Sequence, residues 1–213
     1  MDDNPALEND HQANNSEPWD EDMARWYVSL YGDHPTNHKT VEAAGLIPGD
    51  CVLDIGCGSG TAVREAARLV TSGIIIGVDP SPAMIRIAKE KSLDPTVVGR
   101  IRFLVGSAER LPVETDTVTV ALAINSVHHW IDLPTGLAEI RRVLRPGGRL
   151  IFGEEIVDDE ADGSEERDYR EDINLILPAL KKAGYTDVAL TQLPIAGGMM
   201  NILQAVSPKP DGG

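Results

Sequence analysis

Val52-Leu53-Asp54-Ile55-Gly56-Cys57-Gly58-Ser59-Gly60-Thr61 decides the fold. A short apolar run, Cys51–Ile55, ends in three alternating glycines, and helical texture follows over Thr61–Val70. Glycine permits positive φ and lets a ligand lie against bare backbone. A strand, a glycine turn and a helix in that order open a doubly wound sheet, whose ligands bind at the carboxyl edge of the strands. A tight turn without a ligand uses the same glycines, so the neighbouring residues have to decide.

Asp79 closes the next strand, Ile74–Val78. A carboxylate there can accept hydrogen bonds from both hydroxyls of an adenosine ribose. It can also cap the following helix, a task Ser81 could perform equally well. The glycine pattern is G-x-G-x-G, and Thr61 stands where a dinucleotide-binding turn places its third glycine. Asp54 lies inside the strand before the loop and would repel a pyrophosphate. Burying it costs stability unless a cationic or amine-bearing ligand, or the loop amides, pair with it.

Working outward, strands and helices alternate. Helices are expected over Ser81–Lys91, Leu133–Leu144 and Ile173–Ala183. Strands are expected over Ile101–Val105, Val118–Ile124, from Leu150–Phe152 onward, and over Val188–Leu193 and Ile202–Val206. Arg145-Pro146-Gly147-Gly148 reads as a stop and turn. This pattern predicts an α/β fold of βαβ units, with a parallel sheet covered on both faces. Upstream, Trp26, Tyr27, Leu30 and Tyr31 recur at helical spacing, and a second helix is expected from Pro35 to Ala44. The expected organisation is an acidic, disordered arm over 1–18, a helical cap over 19–46, a ligand-binding domain over 47–207 and a tail over 208–213.

The chain has 213 residues and a net charge of −15. Residues 1–24 contribute −8 and residues 154–172 contribute −9, so the remainder is +2. No basic stripe suited to a phosphate backbone is visible, which argues against nucleic acid and anionic membranes. Cys51 and Cys57 form neither a disulfide framework nor a C-x-x-C motif. With no apolar leader or spanning segment, a cytoplasmic protein is expected.

Val52–Gly60 resembles the first motif of class I S-adenosylmethionine-dependent methyltransferases. Asp79 resembles their ribose-binding acid, and Ser107-Ala108-Glu109 with Leu111-Pro112 resembles their loop after strand three. Val118–Trp130 and Glu139–Ile151 are similar to the strand and helix–turn–strand that follow. The resemblance covers roughly residues 40–206 and is nearest the ubiquinone/menaquinone C-methyltransferase branch. It implies an α/β, Rossmann-like, doubly wound, seven-stranded mixed sheet with its last strand antiparallel, S-adenosylmethionine as cofactor and a small-molecule methyl acceptor. It further implies that Asp54, Gly56 and Gly58 hold the methionine moiety, Asp79 the ribose, and Pro80 and Met84 the adenine side. Ala108 and Glu109 would flank the base, with Asn125 or Ser126 near the amino-acid end. Met84 could equally be core, and Glu109 a surface charge.

Methyl transfer by in-line displacement needs alignment first, and a base only for a protonated nucleophile. His129 and Glu155 are the candidate catalytic residues, taken from the pairs His128-His129 and Glu154-Glu155 at the ends of strands four and five. His34 and His38, four apart, could share a helix face, but no further metal ligand accompanies them. Trp26, Tyr27 and Tyr31 could close over the cofactor. The chain lacks the Asn/Asp-Pro-Pro-Tyr/Phe and Pro-Cys motifs of DNA methylation. A nicotinamide-dependent oxidoreductase and a non-catalytic cofactor-binding protein are the rival readings. A monomer or homodimer is expected.

Overall fold

Three apolar stretches rich in β-branched residues, 51–55, 74–79 and 118–124, stack side by side at the centre of the molecule. The computed structural model describes residues 20–156 and 169–208. The central strands are β1 (Cys51–Ile55), β2 (Ile74–Asp79) and β4 (Val118–Ile124). They are buried almost throughout, as parallel strands covered on both faces must be. With β3 (Ile101–Val105), β5 (Leu144–Ile156), β6 (Thr186–Ile195) and β7 (Gly198–Val206) they form one seven-stranded sheet ordered β3-β2-β1-β4-β5-β7-β6. All neighbouring pairs up to β5 are parallel, and β7 runs antiparallel to both β5 and β6. The expected mixed sheet with an antiparallel last strand is therefore present.

The strand order reverses between β1 and β4, so their carboxyl ends frame the crevice where such sheets bind ligands. Helices α2 (Pro35–Ala43), α3 (Thr61–Leu69) and α4 (Pro82–Lys91) pack on one face, around Val63, Ile75, Leu122 and Ile151. Helices α5 (Leu133–Val143) and α6 (Tyr169–Lys182) cover the other, around Leu53, Leu137, Phe152 and Ile176. Proline pre-sets the first turn of α2, α4 and α5, and His34, Ser81 and Asp132 accept hydrogen bonds from the N–H groups exposed there. Helix α1 (Glu21–Tyr31) lies outside this layer, with Ala24, Tyr27 and Val28 against Ala83, Met84 and Ile87 of α4.

Two expectations need correction. Strand β5 begins at Leu144, not near Leu150. Val118 pairs with Leu144 and Val120 with Arg149, so Arg145–Gly148 bulges out of a ladder that continues on either side. Gly147 takes φ +79° there, and the bulge is tied to the last strand's exit by Gly147 N–H to Ser207 O and Ser207 N–H to Gly148 O. The strand expected over Val188–Leu193 does not stop there, and Pro194 sits within β6. An edge strand tolerates a missing N–H on its unpaired side, and β6 pairs only with β7. Residues 1–18 and most of the acidic segment after β5 lie outside the described residues.

Candidate active site

The glycine loop joins β1 to α3 at the switch point. Gly56, Gly58 and Gly60 have φ of +74°, +49° and +77°. A Cβ on Gly56 would lie 2.6 Å from Ser126 Cβ, and one on Gly60 2.8 Å from the Phe103 ring. Those two glycines are required by close packing. A Cβ on Gly58 would meet nothing within 4 Å, so its bare backbone faces open space.

Two carboxylates flank that space. Asp54 is 3 % exposed, and its carboxylate takes no hydrogen bond from the described residues. Burial, with the negative charge of Asp79 adding to it, pushes its pKa up to about 7. Asp79 accepts from Gly58 N–H and from Ser81 N–H, both at 2.9 Å. Burial raises its pKa while those two amides hold it down. Ser81 Oγ caps α4 through Met84 N–H, which leaves Asp79 for the glycine loop. An unpaired buried carboxylate beside an open glycine backbone suits a ligand carrying an ammonium or sulfonium charge.

A nicotinamide dinucleotide fits worse. The first turn of α3 is already engaged: Thr61 Oγ1 donates to Gly32 O and accepts from Arg64 at 2.9 Å. Arg64 also grips Ser59 O at 2.6 Å. Buried Cys57 packs beneath the loop near Gly77, its thiol pushed well up by burial and by Asp54 and Asp79.

The remaining candidates gather along the same edge. Asn125, at φ +45°, follows β4, a conformation asparagine tolerates better than most residues. Ser126 Oγ donates to Ile55 O at 2.9 Å, which ties β4 to the glycine loop. Ala108 is buried in the core. Glu109 accepts from Ile131 N–H at 2.7 Å and Asp132 N–H at 3.2 Å, so it fastens the β4–α5 loop and is no free surface charge. Pro80 is exposed after β2. Met84 is 4 % exposed and belongs to the α1–α4 packing. His128 and His129 sit on a short 3-10 turn, rings 4.1 Å apart, with His129 exposed.

Helix α1 carries Trp26 and Tyr31 largely exposed, with Tyr31 4.9 Å from the Tyr27 ring. Its C-terminal turn is pinned to the loop through Gly32 O. His34 and His38 do not act together. His34 caps α2 and pairs with Glu155 at 3.2 Å, whereas His38 approaches Asp33 and Glu65. The His34–Glu155 contact was not legible in the sequence, because no local pattern joins the α2 cap to the end of β5. Among the described residues no three His, Cys, Asp or Glu side chains gather as a metal site requires. Clefts of about 370 Å³, between α2 and the β6–β7 hairpin, and about 520 Å³, between α5 and α6, contain no residue of the glycine loop.

Comparison with known proteins agrees with this geometry. The family described as "Methyltransferase domain" matches residues 53–152. A ubiquinone/menaquinone biosynthesis C-methyltransferase of Stutzerimonas stutzeri is 36% identical over 116 residues, 53% of this chain and 44% of that protein. The matched segment thus spans less than half of that relative. An S-adenosylmethionine-dependent methyltransferase of Aquifex aeolicus has the same fold, with a TM-score of 0.70 at 20% identity over 88% of this chain and 99% of that one. A phosphoethanolamine N-methyltransferase of Haemonchus contortus, solved with S-adenosylhomocysteine, gives a TM-score of 0.69 at 18% identity over 89% of this chain and 58% of that one. Residues 53–152, which carry the glycine loop and its two carboxylates, match the methyltransferase-domain family, and the chain shares its fold with solved S-adenosylmethionine-dependent methyltransferases.

Proposed function

We propose that this protein transfers a methyl group from S-adenosylmethionine to a small-molecule acceptor. The observation that carries the reading is the Asp54 carboxylate, buried and without a hydrogen-bond donor among the described residues, beside the open face of Gly58. Asp54, Gly56 and Gly58 hold the methionine end, where an ammonium group supplies the charge Asp54 lacks. Asp79 takes the ribose hydroxyls. Ala108 and Glu109 border the base, with Pro80 exposed at the rim and Met84 supporting that wall from α4. Asn125 and Ser126 close the amino-acid end. When bound, S-adenosylmethionine supplies an electrophilic methyl group. The chain's part is to align the acceptor and exclude water.

The acceptor enters over the ends of β4 and β5, where His129 and Glu155 face the reaction as base or acceptor contact. Four carboxylates end the strands here, Asp54, Asp79, Glu154 and Glu155, which favours neutral or cationic acceptors over phosphorylated ones. No helix of the described residues is long and apolar enough to cross a membrane. The two free thiols, Cys51 and Cys57, support a cytoplasmic setting, and a monomer or homodimer is expected.

Calorimetry with S-adenosylmethionine, S-adenosylhomocysteine and NADH tests the reading. Binding of both adenosyl compounds and not of NADH supports it. Binding of NADH alone refutes it, and cofactor binding without turnover of any acceptor would leave a binding protein.

A further inference from the structure

Four side chains from three distant parts of the chain close a ring at the carboxyl edge. Glu155 N–H donates to Asn125 Oδ1 at 3.0 Å. Asn125 Nδ2 donates to Thr36 Oγ1 at 3.0 Å. With its oxygen accepting from Asn125, the Thr36 hydroxyl is free to donate to His34 Nδ1, also 3.0 Å away. The same Nδ1 accepts from Thr36 N–H as the cap of α2. A neutral imidazole accepting at Nδ1 carries its proton on Nε2. That nitrogen lies 3.2 Å from Glu155 Oε2. Thr36 is fully buried, and the His34 and Glu155 side chains are 26% and 31% exposed.

We propose that His34 is a positioning residue of the active site, one that aims the Glu155 carboxylate at an acceptor bearing an O–H or N–H group. The proposal rests on the methyltransferase reading and adds the acceptor class. His34 and Thr36 come from the α1–α2 segment, which lies outside the matched residues 53–152. His34 donates to one carboxylate oxygen and Asn125 fixes the Glu155 backbone, so the second oxygen remains for the acceptor. In the balanced step, the acceptor contributes the electron pair of the new bond to the methyl carbon. The carbon–sulfur pair stays on sulfur, and the acceptor's proton passes to Glu155 and then to solvent. Other titratable groups on the elements packed here include Asp33, His38, Lys39, Glu42, Glu65, His128, His129 and Glu154.

Two measurements on the full chain test this. Imidazole ¹⁵N spectroscopy, with His34 assigned through His34→Gln, should show the Nε2–H tautomer with a slowly exchanging proton, and Glu155→Ala should abolish that slow exchange. A His34 signal indifferent to Glu155→Ala overturns the couple. Turnover of phenols, catechols and primary amines with S-adenosylmethionine should fall on the order of 100-fold in kcat in Glu155→Gln, with KM for S-adenosylmethionine unchanged. His34→Phe should lose kcat in the same way, and His34→Gln, which keeps a donor, should recover most of it. Loss confined to thermal stability, or no turnover of any O–H or N–H acceptor while S-adenosylhomocysteine still binds, overturns the proposal. Failure of wild-type protein to bind S-adenosylhomocysteine instead overturns the methyltransferase reading.

Discussion

Asp54 concentrates the chemistry of the site in one carboxyl group. Its folded-state pKa of about 7 lies above the unfolded value near 3.8, so the folded chain keeps a proton that the unfolded chain releases. Stability from this group is therefore lost as pH rises from about 4 to 7 and stays low above that. The full effect is up to roughly 4 kcal/mol. Asp54→Asn should raise the melting temperature of the ligand-free protein at pH 8 while weakening S-adenosylhomocysteine binding at least tenfold. Scanning calorimetry and titration calorimetry read the two effects, and unchanged affinity would remove Asp54 from the site. Asp79→Ala should also lose cofactor binding, because Ser81, not Asp79, caps α4. An affinity equal to wild type would end the ribose assignment.

At the scale of the β1–loop–α3 element, three glycines of similar φ have different neighbours, so they should respond differently to alanine. Gly56→Ala and Gly60→Ala drive a methyl group into Ser126 and Phe103 respectively, on top of the left-handed strain. Each should cost about 2–4 kcal/mol and lower the melting temperature with or without ligand. Gly58→Ala meets no atom and pays only the backbone strain, about 1–2 kcal/mol. Its methyl group occupies the space offered to the ligand, so its main effect should be on cofactor affinity. Equal affinity in Gly58→Ala and wild type would show that the ligand does not lie against this backbone. The loop was legible because glycine spacing is local. Which glycine is steric and which is functional depends on Ser126 and Phe103, residues brought in from the loop after β4 and from β3.

For the whole molecule, ligand binding is read as stability. A cofactor at a hundred times its Kd adds about 2.7 kcal/mol. In a chain of 213 residues this should raise the melting temperature by about 5–10 °C. S-adenosylhomocysteine should produce that shift and NADH should not, as thermal scanning would show. The net charge of −15 does not describe the body of the protein, whose remainder outside residues 1–24 and 154–172 is +2. Part of the acidic excess, Glu154 and Glu155, stands at the carboxyl end of β5.

The alternation of strands and helices, the switch-point loop and the acids near the ends of β1 and β2 were all readable from the chain. Periodicity, glycine spacing and a carboxylate at a strand end are short-range signals, set by backbone geometry within a few residues. The seven strands and the antiparallel last one were expected too, through the resemblance those motifs carry, whereas the order of the strands came from the structure. Contacts between segments distant in sequence were not. The continuation of β5 across Arg145–Gly148 depends on Val118 and Val120 as pairing partners. The task of Glu109 depends on two amides of the β4–α5 loop. His34 read as half of a histidine pair on a helix. Tertiary structure made it the partner of Glu155 instead, because α2 packs over the ends of β4 and β5, where Asn125 and Thr36 hold the two in register.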